Sequence, residues 1–380
     1  MNPLKNIYLS LGSNQGDPFE NLQVATNHIF NKIGSIEKIS PIYSTPPWGF
    51  EGNDFLNCAI HAKTRLNPLT LLQSCLFIEK EMGRVRQRKN GNTSYEDRVI
   101  DIDIIFYEDD VLEEEALHIP HPLMQERNFV LRPLNDIAAR VKHPIFNKEV
   151  QQLLQESGDT ASADKINRWL KNPQAAYDFG KLDFLTIEGN IGAGKTTLST
   201  MIAEDFDGKL ILERFKDNPF LPKFYKDQSR YAFALEMSFL ADRYQQLLDD
   251  LGQYDLFKDF MISDYDSHKS LIFAKVTLNE DEYNLYKKLH GMMYKEIQKP
   301  DLYIYLHQDT ERLLANIKKR GREYEKDINA DYLEKINAGY MSYMRSKAGD
   351  KVKIIDVSRL NFVESREDYL SILNSILQEG

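Results

Sequence analysis

The stretch Leu185–Thr197 constrains the fold of this chain more than any other part of the sequence. Residues 185–187 have the pattern of a buried strand end, residues 189–196 fit the motif Gly-x4-Gly-Lys-Ser/Thr, and helical apolar spacing begins at Leu198. A strand, a glycine loop and a helix in this order are typical of a phosphate-binding P-loop. The glycines let successive backbone N–H groups face one anion, and the helix N-terminus adds a favourable dipole.

The P-loop motif gives the positions of this loop expected roles. Lys195 is expected to reach the β and γ phosphates of ATP, and Thr196 to bind Mg2+. The predicted nucleotide-binding residues are Gly189, Asn190, Ile191, Gly192, Ala193, Gly194, Lys195, Thr196 and Thr197. The alternative is a glycine-rich turn that binds nothing, which the full motif in its strand–helix context disfavours. Because a P-loop normally follows the first strand of its domain, the first half of the chain needs a separate explanation.

Length and charge narrow the classes of function. A chain of 380 residues is expected to form two domains, and its formal net charge of −10 disfavours a protein that coats nucleic-acid polymers. Residues 1–5 do not resemble a signal peptide, and no apolar run approaches the length of a membrane span. Cys58 and Cys75 lack metal-ligand spacing and are expected to be buried thiols. Together these features predict a cytoplasmic protein with no membrane partner.

The first half mixes strand and helix patterns in a way that predicts an α+β sandwich. Strands are predicted at residues 7–11, 36–43, 55–62 and 100–106, and helices at residues 19–33, 68–82 and 127–139. Residues 45–49, Thr-Pro-Pro-Trp-Gly, cannot continue a strand ladder because proline has no N–H donor.

Asp101 and Asp103 are the sharpest chemical feature of this half. Two residues apart on a strand, they point to the same face, where a divalent cation is the simplest way to keep both ionised. Mg2+ commonly takes one or two carboxylates together with substrate phosphates. The competing interpretation is a solvated strand face. A cationic group just upstream favours a polyphosphate site, and its members are Arg84, Arg86, Arg88, Lys89 and Arg98.

Several short motifs together resemble the family of 6-hydroxymethyl-7,8-dihydropterin pyrophosphokinase. They are residues 12–14, 45–49, 55–57, Glu79 with 83–86, 98–103 and 120–124. The resemblance covers residues 5 to 155 and implies a ferredoxin-like α+β sandwich. It also implies transfer of a pyrophosphoryl group from ATP to the pterin alcohol, a reaction that depends on alignment and charge neutralisation.

This resemblance implies a role for each site residue. Asp101 and Asp103 would bind two Mg2+ ions, and Arg84 and Arg98 would stabilise charge as the bond between the α and β phosphates breaks. Arg86 and His121 would also contact the triphosphate. The pterin would be bound by Thr45, Pro46, Trp48, Phe55, Asn57 and Phe129. In one departure from the family pattern, the loop 87–97 is longer than expected.

Residues 156–181 begin with small polar side chains, a composition typical of a linker. We therefore expect a first domain at residues 1–158, a linker at 159–181 and a second domain at 182–380. Within the linker, Ile166–Leu170 is expected to form a short helix.

The second half alternates strands and helices after the P-loop, which predicts a doubly wound parallel sheet. Strands are predicted at residues 210–212, 260–264, 302–306 and 353–356, and helices at 224–249 and 369–377. The basic run 318–322 is a candidate lid that would close over phosphates. The alternative for this run is a solvated helix face, because acidic residues follow at once.

A second family resemblance appears in this half, to deoxynucleoside kinases of the deoxyguanosine, deoxyadenosine and deoxycytidine kinase group. It rests on residues 188–197, Glu213, 218–220, 231–246, 320–322 and 332–333, and covers residues 183 to 375. It implies that Glu213 takes the 5′-hydroxyl proton, that Tyr225 and Glu325 hold the 3′-hydroxyl, and that Arg320 and Arg322 form the lid. We expect a homodimer through this domain.

The chain departs from the second family at two positions. Glu236 stands where the family usually has glutamine, and a carboxylate that only accepts hydrogen bonds favours a base with donors, such as guanine. The family's acid-Arg-Ser triplet is absent, because residues 264–266 read Asp-Tyr-Asp. Arg243 is the candidate to compensate for that arginine.

The sequence thus predicts a bifunctional transferase that uses ATP and Mg2+. One alternative is a pterin pyrophosphokinase with a kinase-like module that binds nucleotide and dimerises without catalysis. Another is a different P-loop small-molecule kinase, such as a nucleoside monophosphate kinase. Its phosphorylated substrate would need a further basic cluster between Tyr225 and Arg243, where only scattered lysines and arginines occur.

Overall fold

The computed structural model describes residues 2–49, 51–83, 97–214, 218–252, 258–326, 328–346 and 351–378. The chain divides into two compact units, Met1–Ala176 and Tyr177–Gly380. In the described ranges, no helix has both the length and the apolar character needed to cross a lipid bilayer.

The first unit contains strands and helices in mixed order. Its strands are β1 (Lys5–Ser13), β2 (Gly34–Ile39), β3 (Tyr43–Thr45), β4 (Phe55–Thr64), β5 (Asp101–Tyr107), β6 (Leu112–Glu114), β7 (Leu117–Ile119) and β8 (Asp164–Lys165). Its helices are α1 (Pro18–Lys32), α2 (Pro68–Glu81), α3 (Asn128–Ala138) and α4 (Val150–Glu156). The main sheet has the order β5-β1-β4-β3-β8, with β2 also paired to β4 and all pairings antiparallel. β1 and β4 are therefore its central strands.

Local sequence explains where the helices of this unit begin. The carboxylate of Asp17 accepts hydrogen bonds from the backbone of the first turn of α1, and Pro18 occupies the first helical position. Asn67 caps α2 in the same way through the N–H of Thr70, at 2.9 Å. Over the sheet, α3 and α4 bury an apolar cluster that includes Ala59, Ile105, Phe106, Met124, Val130, Leu131, Leu134 and Leu153.

Much of the segment predicted to be a linker packs on the first unit. β8 pairs with β3, and the N–H of Ile166 bonds the carbonyl of Ile42 at 2.9 Å. The predicted short helix at Ile166–Leu170 is wrong. Ile166 alone continues the pairing, residue 167 lies in a bend, and residues 168–170 have no regular structure. Trp169 is 64% exposed, so it contributes no buried helix face.

The second unit confirms the predicted parallel sheet. Its strands are β9 (Phe184–Gly189), β10 (Lys209–Ile211), β11 (Met261–Ser263), β12 (Leu302–His307) and β13 (Val352–Asp356). Its helices are α5 (Lys195–Asp205), α6 (Leu221–Phe224), α7 (Gln228–Gly252), α8 (His268–Thr277), α9 (Glu280–Met293), α10 (Thr310–Arg320), α11 (Ala330–Ser346) and α12 (Arg366–Leu377). The order β10-β11-β9-β12-β13 places β9 in the middle, with every pairing parallel. The loop after β9 therefore opens at the centre of the carboxyl edge, where doubly wound sheets bind ligands.

Candidate active sites

The first unit contains a cavity of about 500 Å3. Most of the site residues predicted for this half line it, namely Thr45, Pro46, Trp48, Phe55, Asn57, Arg98, Asp101, Asp103, His121 and Phe129. Arg84 and Arg86, which were also predicted, lie outside the described residues. Residues from strands, from the segment between β3 and β4 and from α3 thus line the same cavity.

The strand register explains why these residues meet. Gly12 on β1 lies opposite Asn57 on β4 and opposite Asp101 on β5, and Ser10 lies opposite Asp103. Directly opposed residues of antiparallel strands share a face, so both carboxylates and the amide lie on the same side of the sheet. A Cβ at Gly12 would lie 2.8 Å from Oδ1 of Asn57, so only glycine leaves this amide its position.

One end of the cavity is shaped for a flat polar ring. Asn57 is 3% exposed, and its amide donates to the hydroxyl of Thr45 at 2.7 Å. The ring centroids of Trp48 and Phe129 are 6.2 Å apart, and Phe55 also lines the space. Aromatic faces and a fixed amide that line the same space suit a heterocycle that carries donors and acceptors on its edge.

The opposite end of the cavity concentrates charge. Nη1 of Arg98 donates to Oδ2 of Asp101 at 2.5 Å. The backbone of Arg98 is held by Asn14, whose Oδ1 accepts from its N–H at 2.6 Å and whose own N–H donates to its carbonyl at 3.1 Å. The backbone of Arg98 is therefore held in place, and its guanidinium can reach an anion in the cavity.

His121 is a neutral donor in this environment. Burial, together with the charge of Arg127, lowers the pKa of His121 to about 4, although the charge of Asp101 opposes this shift. Nδ1 accepts from the N–H of Leu123 at 3.3 Å, which assigns the ring proton to Nε2. An N–H donor, and not an imidazolium, thus lines the cavity at neutral pH.

Arg127 is a cavity residue that sequence reasoning missed. It is 8% exposed, lines the cavity, and lies with its guanidinium carbon 5.6 Å from the ring centroid of Phe129. A single arginine before a helix has no distinctive pattern. Its spacing of two residues from Phe129, which was predicted, is the signal that could have identified it.

Asp101, Asp103 and Glu79 are carboxylates that line this cavity, and Oε1 of Glu79 accepts from the N–H of Ile102 at 2.9 Å. Across the described ranges, no group of three or more His, Cys, Asp or Glu side chains could hold a metal ion by itself. Asp101 and Asp103 therefore fit a cation that takes its remaining ligands from water and phosphate, which is the ordinary behaviour of Mg2+.

The second unit contains a cavity of about 110 Å3 at the carboxyl edge of its sheet. The predicted residues that line it are Ile191, Gly192, Lys195, Thr196, Glu213, Tyr225, Glu236, Arg243, Arg320, Arg322 and Glu325. Gly189, Asn190, Ala193, Gly194 and Thr197 belong to the same turn but do not line the cavity. The P-loop, the proposed base and the lid arginines are thus brought together.

The glycine loop has the conformation that a P-loop requires. Gly192 and Gly194 have φ of +85° and +89°, and a Cβ at Gly194 would lie 2.7 Å from Cζ of Phe362. Nζ of Lys195 donates to the carbonyl of Asn190 at 3.0 Å, so the lysine lies across the loop. Burial, together with the nearby charge of Lys269, lowers the pKa of Lys195 to about 8.

One carboxylate links the P-loop to the proposed base. The hydroxyl of Thr196 donates to Oδ2 of Asp264, and Oδ1 of Asp264 accepts from the N–H of Glu213 at 2.8 Å. Asp264 follows β11, the strand between β9 and β10, and therefore stands between the two groups that it connects.

Glu213 is held between two cations. Nε of Arg243 donates to Oε1 at 2.8 Å, and Nζ of Lys269 donates to Oε2 at 2.5 Å. Burial by itself would raise the pKa of Glu213, but the charges of Lys269 and Arg243 outweigh burial and hold the pKa well below its usual range. Sequence reasoning missed Lys269, which has no signal other than its place one turn after the segment that lacks an arginine.

Glu236 lies deeper in this cavity, on α7. It is 2% exposed, and its Oε1 accepts from the hydroxyl of Thr277 at 3.0 Å. Its Oε2 has no hydrogen-bond partner in the described part of the chain. Burial raises the pKa of Glu236 to about 7, although Arg243 opposes the shift. A buried carboxylate oxygen without a partner indicates a missing donor.

Both predicted lid arginines are bonded to Glu325. Nη2 of Arg320 donates to Oε2 of Glu325 at 2.5 Å, and Nη1 of Arg322 donates to Oε1 at 3.3 Å. The ring of Tyr225 stacks on Tyr324, with 6.5 Å between centroids. Both arginines therefore lie at the cavity, held by the acid that was predicted to contact the sugar.

Comparison with known proteins gives a separate result for each unit. The family model "Deoxynucleoside kinase" matches residues 185–379, and the model "7,8-dihydro-6-hydroxymethylpterin-pyrophosphokinase (HPPK)" matches residues 8–139. Deoxyguanosine kinase of Bacillus subtilis is 37% identical over 190 residues, which are 49% of this chain and 92% of that protein.

A second relative matches the first unit. The 2-amino-4-hydroxy-6-hydroxymethyldihydropteridine pyrophosphokinase of Aquifex aeolicus is 40% identical over 152 residues, 40% of this chain and 91% of that protein. Among solved structures, deoxyadenosine kinase from M. mycoides with bound products is 27% identical with a TM-score of 0.44, covering 51% of this chain and 100% of that one. The chain therefore belongs to the HPPK family through its first unit and to the deoxynucleoside kinase family through its second.

Proposed function

We propose that each unit is a complete ATP-dependent transferase. The first unit, an α+β sandwich that we take to be ferredoxin-like, transfers a pyrophosphoryl group from ATP to 6-hydroxymethyl-7,8-dihydropterin and releases AMP. The second transfers the γ-phosphoryl group of ATP to the 5′-hydroxyl of a deoxynucleoside, with deoxyguanosine preferred, and releases ADP. The observation that carries the base preference is the unpartnered, buried Oε2 of Glu236.

In the first unit, the pterin lies against Phe55, Trp48 and Phe129, with its polar edge on Asn57. Its hydroxymethyl oxygen attacks the β-phosphorus of ATP, and the bond from that phosphorus to the oxygen bridging the α-phosphate breaks. Mg2+ bound by Asp101, Asp103 and the triphosphate would neutralise phosphate charge. Arg98, Arg127 and the Nε2–H of His121 surround the same space and add donors for the transferring group.

In the second unit, the P-loop amides and Lys195 hold the phosphates of ATP, and Thr196 would bind Mg2+ there. Glu213 accepts the proton of the 5′-hydroxyl, while Tyr225 and Glu325 hold the sugar. Arg320 and Arg322 move from Glu325 toward the phosphates when the nucleotide binds. The side chains that carry these roles all line one cavity, beside the P-loop residues Ile191 and Gly192.

The base preference follows from donor and acceptor patterns. Guanine presents two adjacent donors, N1–H and its exocyclic amine, which match an ionised carboxylate. Adenine presents one donor beside an acceptor, so its ring nitrogen would face the carboxylate oxygen of Glu236. With one oxygen already bonded to Thr277, the other is available for a base donor.

Two further properties are part of this proposal. A homodimer through the second unit is supported by apolar side chains exposed on α7 and α9, namely Leu248, Leu285 and Met292. A cytoplasmic location is supported by the free, buried thiols Cys58 and Cys75, since burial raises the pKa of both thiols and suits reduced cysteines.

The two reactions can be tested in one assay, because they give different nucleotide products. The full chain is incubated with ATP and Mg2+, and separately with the pterin alcohol or each of the four deoxynucleosides, and AMP and ADP are resolved. We expect AMP only with the pterin and ADP fastest with deoxyguanosine. ADP formation with none of the deoxynucleosides would contradict the second activity, and no AMP with the pterin would contradict the first.

A further inference from the structure

Lys269 occupies an unexpected place beside the proposed base. It lies in the first turn of α8, is 7% exposed, and lines the cavity with its ammonium 2.5 Å from Oε2 of Glu213. The segment just before it, residues 264–266, has no arginine. A cation thus reaches Glu213 from the helix that follows, although the preceding loop supplies none.

We propose that Lys269 is a positioning residue that holds the carboxylate of Glu213 in line for phosphoryl transfer. This rests on the proposed function of the second unit. In the transfer step the proton of the 5′-hydroxyl passes to Glu213, and the 5′-oxygen forms a bond to the γ-phosphorus. The bond between that phosphorus and the β–γ bridging oxygen breaks, and ADP leaves. The orientation of the carboxylate decides whether the hydroxyl is aligned.

The contacts show why both oxygens of Glu213 must be held. Nε of Arg243 approaches Oε1 from α7 and Nζ of Lys269 approaches Oε2 from α8, so the plane of the carboxylate is fixed by two different helices. The next residue of α8, Ser270, accepts from Nη1 of Arg243 at 2.8 Å. Two consecutive residues of α8 therefore set both sides of the carboxylate. Without Lys269, Glu213 keeps one partner and can rotate about it.

Lysine at this position is poorly explained as a filler of the core. An ammonium removed from water is unfavourable unless it is paired, and among the described residues Nζ of Lys269 forms one hydrogen bond, to Glu213. An apolar side chain of similar length would pack beside Phe273 without that cost. The charge is therefore retained for its effect on Glu213.

The experiment compares three variants of the full chain, Lys269→Met, Lys269→Arg and the matched control Lys275→Met. Lys275 is an exposed lysine on the same helix. For Lys269→Met we expect kcat for deoxyguanosine phosphorylation to fall about 100-fold, while KM changes less than about threefold. The kcat of Lys269→Arg should be at least about tenfold higher than that of Lys269→Met, and the kcat of Lys275→Met should match that of the wild type.

Folding is checked separately from catalysis. AMP formation with the pterin and the melting curve report the state of each variant, and binding of a fluorescent ATP analogue reports the P-loop. An unchanged kcat in a folded Lys269→Met variant would overturn the inference. So would a Lys269→Arg variant as impaired as Lys269→Met, because a positive charge at this position would then not be what Glu213 requires. A wild-type chain that forms no ADP would instead overturn the proposed function.

Discussion

Glu236 is the residue that we propose sets the choice of base. Its carboxylate is buried on α7 with one oxygen bonded to Thr277, and the other oxygen has no hydrogen-bond partner among the residues that the structure describes. Such a group recognises different partners in its two protonation states. Ionised, it only accepts hydrogen bonds; protonated, it can also donate one. Because burial raises the pKa of Glu236 to about 7, both states are populated near neutral pH.

Base preference should therefore depend on pH. Above a pH of about 7 the ionised carboxylate accepts from guanine, and below it the added proton faces the guanine N1–H and removes that match. As pH falls from about 8 to about 6, we expect the ratio of kcat/KM for deoxyguanosine to that for deoxyadenosine to fall about tenfold. A ratio of two substrates cancels the titration of ATP and of shared groups.

Glu236→Gln is the control for this prediction, because an amide keeps the shape and does not titrate. The ratio should be lower than in the wild type at a pH of about 8, and flat between about 6 and 8. A wild-type ratio that is equally flat would show that Glu236 does not contact the base.

Two site residues, Arg127 and Lys269, were missed in the sequence. Arg127 directly precedes α3 and Lys269 lies in the first turn of α8, positions where charged residues are usually solvated. Lys269 is paired with Glu213, which is 56 residues away and lies outside any local sequence window. Arg127 lies beside Phe129, and only that short spacing could have identified it. By contrast, the P-loop lysine and the paired aspartates belong to short local patterns, so they could be identified from the sequence alone.

At the scale of elements, the predictable parts are those with local signals. The strands predicted at residues 55–62 and 302–306 correspond to β4 and β12, because alternating or continuous apolar runs show which faces are buried. β8 was missed, since Asp164 and Lys165 are exposed and are held in place by pairing with Tyr43 and Ser44. β8 forms because it pairs with β3, which is distant in sequence and therefore lies outside any local sequence window.

The start of α5 is a second element whose geometry makes a prediction. Gly194 has φ of +89°, and a Cβ there would approach Phe362 at 2.7 Å. Gly194→Ala should lower stability by about 1–3 kcal/mol through backbone strain and the close contact, and should abolish deoxynucleoside phosphorylation. Thermal unfolding measures the loss of stability, and ADP formation with deoxyguanosine measures the loss of phosphorylation.

Gly291→Ala is the matched control for this variant. Gly291 lies in α9, where an added Cβ meets nothing within 4 Å, so alanine there should be neutral or slightly stabilising. The double variant Gly194→Ala with Phe362→Ala should relieve the contact but not the positive φ. Full recovery in the double variant would argue against backbone strain at Gly194.

At the scale of the whole molecule, the two sites use different means to hold a triphosphate. The first unit offers side-chain charges on an antiparallel sheet, including Asp101 and Arg98. The second offers backbone amides after a parallel strand, together with Lys195. Each set of described lining residues lies within one compact unit. The two activities should therefore be lost independently.

Asp101→Asn and Lys195→Ala test this independence. Asp101→Asn removes a carboxylate from the first site and should abolish AMP formation with the pterin, while ADP formation with deoxyguanosine stays within about twofold of the wild type. Lys195→Ala removes the cation that faces the phosphates and should do the reverse. Each variant serves as the folding control for the other, since its retained activity shows an intact chain. Loss of both activities in either variant would mean that the sites are not confined to separate units.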